Sequence, residues 1–349
     1  MNHGPPRFLA LTGPTASGKT ELSLALAERV DLEIVSMDSR QVYSGMDIGT
    51  DKVDDAARGR VPHHGLDVVR PTERYSAGRF GRDARGWISL IEGRGRLPLL
   101  VGGTGFFLRA LTDPMFAEPA VDQARLGALR AYLSAVSPDR LARWVRRLDP
   151  ERAGLAIEGG PQRMGRAIEV ALLSGRPLSW WHRRPPAEGE ALHGAVVVLD
   201  IERAEMDRRI ERRVTRMVER GLIGEVRDLL AAGCQPGDPG MSATGYPEVA
   251  RHLRGEATLE EAMEEIRRNT RRYARRQLTW FRHQLPGSAV RIDALAPLER
   301  RVEMAVEALR AAGGRVRAPR GAGIGQGGRS TPPNDARAPT RSTTREVAR

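Results

Sequence analysis

Apolar residues near the start of the chain fall into short continuous runs, separated by stretches in which they recur every three or four positions. Phe8-Leu9-Ala10-Leu11 is the first run and predicts a buried strand. Leu22, Leu24, Leu26 and Ala27 then predict a helix over 21–30. Leu32 to Val35 and Leu97 to Val101 repeat the strand pattern. Alternation of this kind over 8–117 predicts a parallel sheet with helices on both faces, and functional residues at the carboxyl ends of its strands.

The pattern changes at about Pro119. Up to Pro186 it is helical throughout, with Leu, Ala and Arg at three- to four-residue spacing and breaks at Pro138, Pro150 and Pro161. Ala195 to Asp200 restores a strand, and helices follow over 203–220, 222–232, 259–282 and 298–312. The predicted fold is α/β: a P-loop NTPase-like parallel sheet with flanking helices, plus a helical insertion. Residues 1–117 and 195–312 form its catalytic core, 118–194 the insertion and 313–349 a tail.

The tail is built of Gly, Pro, Ser, Thr and Arg, a composition that buries no core and predicts disorder. It carries eight arginines against Asp335 and Glu346, which is half of the net charge of +12. The body remains basic, which fits an anionic partner such as nucleic acid as well as a general drift toward arginine. No uncharged apolar stretch reaches the about 18 residues of a membrane span. The first apolar run leads straight into a glycine loop, unlike a signal peptide. The single cysteine, Cys234, excludes an intrachain disulfide and a multi-cysteine zinc site. Cytoplasmic residence and a monomer are the default expectations.

All but two of the 56 basic residues are arginine, and the exceptions are Lys19 and Lys52. Lys19 stands in Gly13-Pro14-Thr15-Ala16-Ser17-Gly18-Lys19-Thr20, the G-x-x-x-x-G-K-[ST] pattern between a strand and a helix. Such a loop wraps a diphosphate with backbone N–H groups, while its Lys reaches the phosphates and its Thr a Mg²⁺ ion. The helix N-terminus behind it adds a favourable dipole. Asp38, in Ser36-Met37-Asp38-Ser39-Arg40-Gln41, follows the second strand; it is a helix cap, a metal ligand or a general base. Gly102-Gly103-Thr104-Gly105 ends a strand where a Walker-B Asp would stand, which argues against an ordinary NTPase. Gln162-Arg163-Met164-Gly165-Arg166 opens a helix of the insertion. The segment from Arg267 to Arg282 interleaves arginines with Tyr273 and Trp280, which fits contact and stacking on nucleic acid and fits core packing equally, while Phe281 reads as core.

From about residue 7 to about residue 310 these segments resemble the tRNA dimethylallyltransferases, also called isopentenyltransferases. The resemblance rests on the phosphate loop, Asp38-Ser39-Arg40-Gln41-Val42-Tyr43, Gly102-Gly103-Thr104, Pro161-Gln162-Arg163 through Glu169, Gly245-Tyr246, and Arg272 to Gln277 with Thr279 to Arg282. It implies transfer of a dimethylallyl group from its diphosphate to N6 of the adenosine beside the tRNA anticodon. Asp38 is the implied base, with Thr104 beside it. Residues 13–20 and Arg213 hold the diphosphate, and Thr20 holds Mg²⁺. The implied contacts to the anticodon stem-loop are Asp38 to Gln41, Thr104, Gln162 to Arg166, Gly245, Tyr246, Arg275, Arg276, Gln277, Trp280 and Arg282. Three departures stand out: Phe107 where the family has Tyr, Glu158-Gly159-Gly160 in place of a Pro-Asn-Asp turn, and Thr244-Gly245-Tyr246-Pro247 in place of Ile-Gly-Tyr-Lys. The rival readings are a small-molecule P-loop kinase, a prenyltransferase of free adenine nucleotides, and a non-catalytic RNA-binding protein switched by nucleotide.

Overall fold

In the computed structural model, residues 5–113, 119, 121–184 and 190–318 are described. In chain order the elements are β1 (Phe8–Thr12), α1 (Lys19–Ala27), β2 (Leu32–Ser36), α2 (Asp55–Arg60), β3 (His63–His64), α3 (Ala77–Gly93), β4 (Leu97–Gly102) and α4 (Gly105–Thr112). The insertion contributes α5 (Gln123–Ser134), α6 (Pro138–Leu148), α7 (Ala153–Glu158), α8 (Pro161–Ser174) and α9 (Leu178–His182). The chain then returns through β5 (Gly194–Asp200), α10 (Arg203–Glu219), α11 (Leu222–Ala231), α12 (Tyr246–Leu253), α13 (Leu259–Gln284), β6 (Val290–Asp293) and α14 (Leu298–Ala311).

The six strands form one parallel sheet in the order β3-β2-β4-β1-β5-β6. Its central strands are buried on both faces, which is why β1 and β5 read as continuous apolar runs rather than as alternation. Because β4 lies between β2 and β1, the carboxyl ends of these three strands are neighbours. The loop at 13–18, Asp38 and Thr104 therefore share one edge of the sheet.

The expected strands appear within one or two residues of their predicted limits. Two short strands, β3 and β6, carry too few residues to show a period in the sequence. The insertion has its own apolar cluster, with Leu133, Leu141, Val145, Met164 and Ile168 at its centre. The predicted tail begins later than Gly313. Gly314 N–H donates to the Leu309 carbonyl (2.9 Å), Val316 packs on the main core, and the Arg317 carbonyl accepts from Asp31 N–H (2.9 Å). From residue 319 the tail lies outside the described residues.

Candidate active site

The loop from Gly13 to Thr20 leads from β1 into α1. Gly18 caps the helix at φ 87° and Ala16 holds φ 64°. Such left-handed conformations curl a chain so that successive N–H groups converge. Lys19 folds back over the loop, its Nζ donating to the carbonyls of Gly13 (3.0 Å) and Pro14 (2.7 Å). Burial pushes its pKa down to about 8; Asp38 opposes that shift and Arg213 adds to it. Ser17 Oγ is buried without a hydrogen-bond partner, and Thr20 faces the cavity.

That cavity, of about 860 Å³, is lined by Lys19 and Thr20 on one wall, Asp38 and Gly103 on a second, and Arg209, Arg212, Arg213 and Arg216 of α10 on a third. Arg213 donates to Thr15 Oγ1 (3.0 Å), tying α10 to the loop. Asp38 is not a helix cap: its Oδ1 accepts from Arg40 N–H (2.8 Å) in a turn beyond β2. Thr104 Oγ1 accepts from Ser39 N–H (3.1 Å), which fixes its hydroxyl beside the same turn. Tyr273 of α13 also lines the cavity, interacting with Thr104 and Asp38, and its phenol is pushed up to about 12, chiefly by burial.

The Gly-Gly-Thr-Gly turn has a packing cause. A Cβ at Gly103 would stand 2.2 Å from Gln277 Nε2, and one at Gly105 would stand 2.3 Å from the Trp280 ring. Glycine lets α13 lie directly on the strand end. Gln277 then joins the two loops, its Oε1 accepting from Thr15 N–H (2.9 Å) and its Nε2 donating to the Gly103 carbonyl (2.8 Å).

Several residues expected to touch RNA have other surroundings. Gln277 is buried between those loops, and Met164 lies in the core of the insertion. Tyr246 is fully buried, with its hydroxyl donating to Glu225 (2.6 Å), and burial together with Glu225 raises its pKa. Gly245, at φ 110°, turns the chain into α12. Arg40 donates to the Pro239 carbonyl and Ser242 Oγ, both at 3.1 Å. Gln41 accepts from Ser36 (2.9 Å). Arg166 lies 3.7 Å from Glu169, and Gly165 lines a groove of the insertion together with Gln162 and Glu169. Gln162, Arg163, Arg275, Arg276 and Arg282 are exposed, and Trp280 is half-buried. Phe281 is core, as expected. Phe107 is core too, stacked on Phe80 with ring centres 4.2 Å apart, so the hydroxyl it lacks is missing from an aromatic cluster rather than from the surface.

Arg209, Arg212, Arg216 and Asp51 belong to the cavity and were not among the expected site residues; Tyr273, read as a stacking residue, belongs to it too. The arginines had a visible signal, since 209, 212, 213 and 216 recur at three- and four-residue spacing on one face of a helix.

Fold and site together define a P-loop protein in which the Gly13–Thr20 loop faces Asp38 across a cavity and β4 ends in Gly-Gly-Thr where a Walker-B acid would stand. A family model described as IPP transferase matches residues 41–284. The chain is 43% identical over 275 residues to tRNA dimethylallyltransferase 2 of Geotalea uraniireducens, covering 79% of this chain and 89% of that protein. It is also 43% identical over 296 residues to tRNA dimethylallyltransferase of Halorhodospira halophila, covering 84% and 95%. The crystal structure of the tRNA isopentenylpyrophosphate transferase from Bacillus halodurans superposes with a TM-score of 0.63 at 35% identity, covering 88% of this chain and 97% of that one. The chain belongs to the IPP transferase family.

Proposed function

We propose that this protein transfers the dimethylallyl group of dimethylallyl diphosphate to N6 of the adenosine beside the tRNA anticodon and releases diphosphate. The observation that carries the reading is the common cavity of the phosphate loop and Asp38, walled by the arginines of α10, with Thr104 held against the Asp38 turn by Ser39 N–H. The N6 lone pair attacks C1 of the dimethylallyl group as the C1–O bond breaks. The bonding pair leaves with diphosphate, and the N6 proton passes to Asp38. Thr104, held by Ser39 N–H, orients the adenine or the base. Lys19, the loop amides and Arg213 stabilise charge on the departing diphosphate.

No group of three or more His, Cys, Asp or Glu side chains is placed to hold a metal among the described residues. A single Thr20 hydroxyl at the loop suits Mg²⁺, which takes few protein ligands and completes its shell with phosphate oxygens and water. When bound, that ion neutralises further charge on the leaving group. No helix among the described residues is long and apolar enough to cross a membrane. The target base leaves its stack to enter the cavity. Gln162 and Arg163 of α8, and Arg275, Arg276 and Arg282 of α13, are exposed, which supports the reading that they contact RNA phosphates. Asp38→Ala tests the base. Single-turnover transfer should fall by at least about a hundredfold, the usual scale of a lost general base, with donor affinity retained. Unchanged transfer would remove Asp38 from that role.

A further inference from the structure

The loop at 46–52 is held more firmly than its place at the cavity rim requires. Glu225 of α11 accepts from the N–H groups of Asp47 (2.8 Å), Ile48 (2.6 Å) and Gly49 (3.0 Å) as well as from the buried Tyr246. Gln41 Nε2 donates to the carbonyls of Thr50 and Asp51, both at 3.3 Å. The buried Lys52 ammonium is shared among the Tyr43 carbonyl (2.6 Å), Asp47 (2.7 Å) and Asp67 (2.5 Å). These contacts hold the backbone, and the Asp51 side chain points elsewhere. Asp51 has φ 56°, a conformation that Asp and Asn tolerate better than most residues. Its carboxylate reaches Arg213, on the cavity wall, at 3.4 Å, and Arg220, just past the end of α10, at 3.5 Å.

We propose that Asp51 is a built-in counter-anion of the diphosphate site. It occupies Arg213 and Arg220 when no ligand is bound, and an entering diphosphate must displace it. The inference rests on reading the cavity as a diphosphate site. Free diphosphate has one more ionisable oxygen than its prenyl ester, so a cationic wall without a counter-anion favours product over donor. Asp51 opposes that bias and aids product release. The Glu225–Tyr246 pair acts through the backbone, keeping the carboxylate on the arginines.

The test is calorimetric titration of the full-length protein with inorganic pyrophosphate in Mg²⁺, comparing wild type with Asp51→Asn. Asparagine keeps the backbone conformation and removes the charge. The expected result is binding about three- to tenfold tighter, the scale of partly exposed ion pairs, with Tm unchanged. Asp51→Gly, which also accommodates the backbone angle, should give the same gain. In an Arg213→Gln background the gain should shrink, because only Arg220 remains to be released. A merely structural role would not produce that coupling. Unchanged or weaker binding in Asp51→Asn would overturn the proposal, and weakening seen only with Mg²⁺ would make Asp51 a metal ligand instead. Prenyl transfer by the wild-type preparation tests the underlying reading separately. If transfer is absent while Asp51→Asn still tightens pyrophosphate binding, the donor assignment fails and the counter-anion stands.

Discussion

Lys19 combines two properties that pull against each other. Burial favours its neutral form and pushes its pKa down to about 8, while an anion in the loop favours the ammonium. Anion binding must therefore raise that pKa. Affinity for dimethylallyl diphosphate should be nearly constant below pH 8, where the lysine is already charged. Above pH 8 each binding event has to take up a proton, so affinity should fall by up to about tenfold per pH unit. Titration calorimetry without tRNA between pH 7 and 9.5, in buffers of different ionisation enthalpy, measures both the decline and the proton uptake. A flat profile with no uptake would mean that Lys19 does not meet the phosphate. The phosphate loop was legible in the sequence because its pattern is local: the residues that define it all lie within 13–20. Tyr246 was not. Its motif suggested an RNA contact, and only the fold shows that the ring lies in the core with its hydroxyl on Glu225.

Among the elements, α13 does the most to assemble the site. Its capping box at Thr258 and Glu261 fixes its start. Its inward face brings Tyr273 and Gln277 against two loops more than 160 residues away in sequence. Arg-rich periodicity marked this helix as a nucleic-acid surface, and its exposed arginines fit that reading. The same periodicity concealed the clasp, because a Gln among arginines looks like part of the polar face. Gln277→Ala would leave Thr15 N–H and the buried Gly103 carbonyl without these partners. The expected loss is about 1–3 kcal/mol of stability, read as a lower Tm, together with weaker donor binding. An unchanged Tm and unchanged donor affinity would show that the two loops hold their positions without the clasp. Helix α10 carried an open signal, since its arginines recur on one face and that face is the wall of the cavity, yet of these only Arg213 was expected there.

For the whole molecule, the sequence pattern was enough to predict a parallel α/β core and a helical insertion, because strands buried on both faces and amphipathic helices have different periods. Strand order was not readable. Nothing local says that β4 lies between β2 and β1, yet that order brings Asp38 and Thr104 beside the phosphate loop. The Gly-Gly-Thr turn serves packing and site at once: its glycines admit α13, and Thr104 faces the Asp38 turn. The account stands on the claim that the phosphate loop holds a prenyl donor for an RNA base rather than a nucleotide. The most direct measurement is to incubate the full-length protein with unmodified tRNA, dimethylallyl diphosphate and Mg²⁺, digest the RNA and weigh the nucleosides. The expected product is adenosine carrying one added dimethylallyl group, found only beside the anticodon and formed without ATP. Unmodified adenosine at that position, from protein that binds both donor and tRNA, would contradict it.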